Sequence, residues 1–221
     1  MDESSKTLLH LSDAERALLR GRVLDIGAGD DPVTPEAVAF DLSQGDANHI
    51  VAFEPGSFDC VYSSHCLEHM HDPVASLHNW WSLVRPGGHL FLVVPDEDLY
   101  EQGHFPSRFN SDHKSTFTIS KKRSWSARSF NLLDLCLALP GAQVLSVRLN
   151  DIGFERGTAH HGPLRRNPVA RPVARLYRGL RKRGWVARSD GFERLAAATL
   201  GVDQTRGAAL AQIEAVVRRV A

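Results

Sequence analysis

"VLDIGAGDD", residues 23–31, is an apolar run that empties into a glycine turn loaded with acids. Such a run, short, aliphatic and closed by glycine, reads as a buried strand. Gly27 and Gly29 let backbone amides come close to a ligand, and in open α/β sheets ligands sit at the carboxyl ends of strands. Gly-x-Gly alone discriminates little. A dinucleotide fold needs a third glycine three residues after the second; Pro32 stands there, so pyrophosphate binding is disfavoured. The acids of "GDD" suit a cation better than an anion.

Reading outward, "AVAFDL" and "FDCVYSS" are further strand candidates, and "GHLFLVVPD" is a buried strand closed by Pro95. "SDAERALLRG" reads as an opening helix with Ser12 as N-cap, Glu15 at capping-box distance and Gly21 as a stop. "DPVASLHNWWSLV" repeats its apolar residues at helical spacing. "SARSFNLLDLCLALPG" reads as a helix and "AQVLSVRLND" as a strand. "AQIEAVVRRV" is taken as a final strand, because Ile213, Ala215 and Val217 alternate with their neighbours. Strands alternating with crossovers imply an α/β fold with a mostly parallel sheet.

A chain of 221 residues suits one domain, 1–221, carrying an insertion at about 153–205. No apolar run spans a bilayer and no secretory signal is visible, so no membrane is expected. Cys60, Cys66 and Cys136 form no Cys-x-x-Cys pair and are read as small buried residues in a reducing, cytoplasmic setting. Zero net charge hides an asymmetry: residues 1–110 carry 18 acids and 6 bases, residues 111–221 carry 8 and 20. Within the insertion, nine Arg or Lys face one Asp between residues 161 and 190. Any helix there begins near Pro172, with Arg171, Arg175, Arg178 and Lys182 in one stripe and Leu176, Leu180 and Trp185 as an apolar flank to bury. That segment could cover the acidic half, guide an anionic acceptor or contact a second copy of the chain, and docking on the acidic half or on a second copy is the expectation. Without net positive charge or a base-reading module, nucleic acid is a disfavoured partner.

"VLDIGAG", "FDL" with Asp41, "GSFDCVYSSHCLEH" and "LVRPGGHLFLVVPD", in that order, resemble the class I S-adenosylmethionine-dependent methyltransferases over roughly residues 20–120 and again at the C-terminal hairpin. The resemblance implies a Rossmann-like sheet of seven strands with the last antiparallel. Only 13 residues separate Gly27 from Asp41, and Asp59 follows Asp41 by 18, so the crossovers after the first two strands should be abridged. It also implies S-adenosyl-L-methionine as cofactor. Asp25 would orient the glycine loop and the cofactor's ammonium, with Gly27, Ala28 and Gly29 against the methionine portion. Asp41, beside Leu42, would accept from the ribose hydroxyls, and Asp46, beside Ala47, from the adenine amine; a plain surface-loop Asp46 is nearly as good a reading. Ser64 and His65 fall where this fold lines the sulfonium.

"YSSHCLEHMHDP", residues 62–73, raises the question of a metal. His65 and His69 stand four apart, as in helical zinc sites, yet no third ligand is visible, so the cluster is read as a pocket rim with no metal. His71 and His78 read as surface residues, and Trp80 and Trp81 as core on one side with a substrate-facing or surface contact on the other. Residues 96–118 are long and aperiodic, a loop over the pocket, whose candidate acid–base groups are Glu101, His104, Asp112 and His113. A base is needed only if the acceptor carries a proton, and histidine is the side chain best tuned to take it. His113 or His104 comes first, then His69. The expected function is methyl transfer to a small molecule such as a sugar, natural product or small acid. A non-catalytic scaffold of the same fold is the alternative, with a nucleic-acid methyltransferase behind it.

Overall fold

The computed structural model describes residues 3–156 and 167–220. Helices α1 (Glu3–Leu9) and α2 (Asp13–Leu18) lead into β1 (Val23–Ile26), β2 (Val38–Phe40) and β3 (Phe58–Ser64), followed by α3 (Pro73–Leu83) and β4 (Val84–Pro95). A small parallel pair, β5 (Thr116–Thr118) and β6 (Ser129–Asn131), precedes α4 (Leu132–Leu137) and β7 (Ala142–Asn150). Helices α5 (Ala170–Lys182) and α6 (Asp190–Leu200) then lead to β8 (Gln212–Arg219).

The main sheet runs β2-β1-β3-β4-β8-β7, with β8 antiparallel to both neighbours. This is the α/β architecture expected, but with six strands among the described residues and not seven. The absent strand belongs beyond β2. Seventeen residues, 41–57, join β2 to β3, and one crossover with its helix already needs at least about 10–12. No room remains for a strand between two crossovers. The link from β1 to β2 is likewise made of turns, as the short spacing required.

Side chains alternate across the strands, so the sheet carries two apolar faces. Leu24, Ile26, Val61, Leu90, Leu92 and Ile213 meet α3 and α4 on one face; Val23, Cys60, Phe91, Val93 and Val216 meet Leu11 and Leu19 on the other. The capping box of Ser12 and Glu15 forms as expected. Asp72 caps α3, accepting from the Val74 and Ala75 amides, with Pro73 in the first turn where its missing N–H costs nothing. Trp80 and Trp81 are both fully buried, donating their indole N–H groups to the carbonyls of Ala47 (2.8 Å) and Pro140 (2.9 Å). Neither faces a substrate or the surface. The helix expected over "SARSFNLLDLCLALPG" shrinks to α4, because Ser129–Asn131 pairs with β5 and Asn131 caps the shortened helix.

In the insertion, α5 carries Pro172 in its first turn, and α5 and α6 pack through Ala174, Tyr177, Ala196 and Leu200. The buried stripe therefore lies on another helix face from the one expected: Leu176 is 63% exposed and Trp185 71%. Residues 157–166, with Pro163, Arg165 and Arg166, lie outside the described residues. The insertion meets the loop of residues 96–118: Gln102 donates to the Val202 carbonyl (2.7 Å) and Arg108 to that of Leu200 (2.9 Å). Among the described residues no helix is long and apolar enough to cross a membrane.

Candidate functional site

The carboxyl ends of β1 and β3 lie side by side, Ile26 against Ser63. The glycine turn leaves the first. Gly27 and Gly29 have φ of +80° and +53°, a backbone that side chains resist. A Cβ on Gly27 would sit 2.7 Å from that of Cys66, whereas one on Gly29 would meet nothing within 4 Å. Gly27 thus lets two strand ends close together, while the space beside Gly29 is open, its amide committed to Asp41.

Acids hold this turn by accepting backbone amides. Asp25, fully buried, accepts from Val33 (2.6 Å); Asp41 accepts from Gly29 (2.8 Å) and Leu42 (2.6 Å). Burial pushes the Asp25 carboxyl up to about 7; the Val33 amide opposes this, and nearby Asp31 and Asp41 add to it. Ala28 is buried and Leu42 is 90% exposed. Asp46 is exposed and closes an Asx turn with the amide and side chain of Asn48, both at 2.8 Å. Ala47 is half-buried against the core.

At the end of β3, Ser64 is buried and His65 takes a left-handed φ of +51°. Its ring lies 3.2 Å from Gln212 Oε1 and 3.5 Å from Glu68 Oε1. Leu67–His69 is a single 3-10 turn and not an α-helix, so the i, i+4 geometry that would pair His65 with His69 does not arise. His69 instead meets His113, ring centroids 4.9 Å apart. Each of the two is oriented through Nδ1 by a carboxylate: Asp112 for His69 (2.8 Å) and Glu101 for His113 (2.6 Å). Glu68 lies fully buried beneath them, 3.9 Å from His113 Nε2 and 3.5 Å from His65 Nδ1. Burial raises the Glu68 carboxyl, and His65, His113 and His69 together outweigh it, holding it below the ordinary glutamate value.

One ligand atom each from Glu68, His69 and His113 falls within 4.8 Å of the others, a set able to hold a cation. His104 is elsewhere, lining a tight cleft with Glu101, Gln102 and Arg108. Sequence reasoning gave no role to Glu68 or Gln212. Glu68 sat in the quoted histidine stretch, between His65 and His69; Gln212 carried no signal. A π-helical turn over Glu97–Glu101 brings Glu101 to His113, and the Glu68 carbonyl accepts from the Lys114 (2.7 Å) and Ser115 (3.1 Å) amides, which fastens the loop over the cluster.

Residues 5–155 match the family model described as a methyltransferase domain. The chain is similar to the ubiquinone biosynthesis O-methyltransferase of Ralstonia nicotianae, 44% identical over 55 residues, or 25% of this chain and 23% of that one. Its counterpart from Cupriavidus pinatubonensis is 39% identical over 62 residues, 28% of this chain and 25% of that one. The matches thus span about a quarter of those relatives. Among solved structures, a Bacillus halodurans protein assigned to the methyltransferases superposes with a TM-score of 0.56 at 15% identity over 99% of both chains, a likeness of fold.

Proposed function

The chain belongs to the methyltransferase-domain family, and from that premise we propose that it carries a methyl group from S-adenosyl-L-methionine to a proton-bearing small-molecule acceptor. The observation that supports this reading is the meeting of a glycine turn with open space beside Gly29 and a largely buried histidine–carboxylate cluster at adjacent strand ends. The cofactor supplies an electrophilic methyl group. The chain's work is to hold acceptor and cofactor in line, and positioning of this kind is worth up to about 7–11 kcal/mol. Asp25 and Asp41 shape the loop; Asp41 is the acid for the ribose hydroxyls, and Ser64 and His65 lie on the sulfonium side.

His69 takes the acceptor's proton at Nε2, since its Nδ1 is held by Asp112. His113, turned by Glu101 and covered by Tyr100, positions His69. Three cysteines, all free and buried, support action in a reducing cytoplasm. The grouping of Glu68, His69 and His113 favours one second reading, in which a divalent cation activates the acceptor in place of a free imidazole.

Calorimetry should show saturable binding of S-adenosylhomocysteine, and a metabolite screen with labelled cofactor should yield a methylated product. Absence of cofactor binding sinks the proposal; binding without any transfer turns it into a scaffold. Product formation that stops with chelator and returns with a divalent ion selects the second reading.

A further inference from the structure

Away from the glycine turn, a cavity of about 520 Å³ opens where the loop of residues 96–118 meets the insertion. Four arginines line it from three parts of the chain: Arg108, Arg175, Arg178 and Arg206. Asp203 is the one acid among the described lining residues. Its carboxylate is committed, with Oδ1 accepting from Thr205 and Oδ2 from Arg206 Nε at 3.1 Å. Positive charge therefore exceeds negative charge several-fold around one concave space.

A solvated basic face is the plain alternative, and two observations count against it. Arg108 and Arg178 each give one nitrogen to the carbonyls that end α6, those of Leu200 (2.9 Å) and Gly201 (3.1 Å), so both guanidinium groups are fixed at the cavity wall. A guanidinium has five donors, and its planar fork matches a carboxylate or phosphate. Arg178 keeps an exposed surface, and partial desolvation draws it below its ordinary value. Two aromatic rings in series join the cavity to the histidines: Phe109 lies on its wall and meets Tyr100 at 5.8 Å, and Tyr100 stacks on His113 at 5.2 Å.

We propose that this cavity is an anion subsite, in which Arg175, Arg178 and Arg206 hold a phosphate or carboxylate group carried by the methyl acceptor, with Phe109 against the acceptor's body. The link to an acceptor rests on the methyl-transfer reading; the anion site itself does not. The basic insertion would then serve substrate recognition.

Two arms test this on the full chain. Inorganic phosphate should raise the melting temperature saturably beyond chloride at equal ionic strength, and the Arg175→Gln/Arg206→Gln variant should lose that rise while binding S-adenosylhomocysteine normally. These arginines are chosen because neither ties down the end of α6. No saturable rise, or the same rise in the variant, overturns the anion site. For the acceptor, substrates bearing phosphate or carboxylate should show a KM raised about tenfold in the variant, about 1.4 kcal/mol, with kcat little changed. A neutral preferred acceptor whose KM is unmoved overturns the link to the acceptor. Failure of wild-type cofactor binding would sink methyl transfer and leave the phosphate arm standing.

Discussion

The two halves of the candidate site answer their acids differently. Around the glycine turn, Asp25, Asp41 and Asp46 accept from backbone amides at most twelve residues away. Across β3, Glu101 and Asp112 accept from imidazoles, and Glu68 lies buried among three of them. Acids held by amides are fixed by the path of the chain and give a rigid edge. Acids held by imidazoles are held side chain to side chain, Glu101 by His113 twelve residues on and Asp112 by His69 forty-three residues back. The first arrangement sets the path of the turn; the second draws the histidines together. Substitutions on the two sides should therefore fail in different ways.

The largest effect is expected at Gly27. Valine there would impose a left-handed backbone on a β-branched residue and press its Cβ into Cys66, 2.7 Å away. Strain and overlap together should cost roughly 2–5 kcal/mol, visible as a lowered urea midpoint. Gly29→Ala has open space and bears the backbone strain alone, about 1–2 kcal/mol, yet should still weaken cofactor binding. If the two variants are equally stable, the division of labour between these glycines is wrong.

Asp25→Asn should act in the opposite direction. Its carboxyl is raised to about 7 in the fold from 3.8, so the folded chain holds a proton that the unfolded chain releases. Stability from this group is full below about pH 4 and is lost as pH rises through 7. The asparagine variant lacks that loss. At pH 8 it should be the more stable protein by roughly 2–4 kcal/mol, while binding cofactor less well. Melts from pH 4 to 8 that run parallel for both proteins would show that Asp25 does not titrate this way.

Asp41→Ala should weaken S-adenosylhomocysteine about tenfold, near 1.4 kcal/mol, and more than Asp46→Ala. Asp41 braces the Gly29 amide, whereas Asp46 is exposed and serves its own turn. Equal losses by calorimetry would place Asp46 at the adenine after all.

The same contrast explains what could be read beforehand. "VLDIGAG", the alternation in "AQIEAVVRRV" and the Ser12–Glu15 box are local signals, and each local element formed as read. The absent seventh strand was a matter of chain length, half visible in the short spacing and overruled by resemblance. Glu68 and Gln212 became legible only when the start of β8, across β4, and the 96–118 loop reached the residues that follow β3, because sequence shows which histidines are neighbours in number and not which share a wall. His65 and His69 are close in number, yet His69 meets His113.

The smallest effect is the one that helical spacing would make large. Leu176 and Trp185 look like the apolar flank of a basic helix, and burying them would make Leu176→Ala cost a few kcal/mol. In the structure the contact with α6 runs through Ala174 and Tyr177, and Leu176 stays 63% exposed. Leu176→Ala should therefore lie within about 0.5 kcal/mol of wild type by chemical denaturation, with methyl transfer and the response to phosphate intact. A loss well above that, dependent on protein concentration, would mean that a second copy of the chain covers this face in solution. The insertion would then be a subunit contact, and the arginine-lined cavity would have to be considered as part of a dimer.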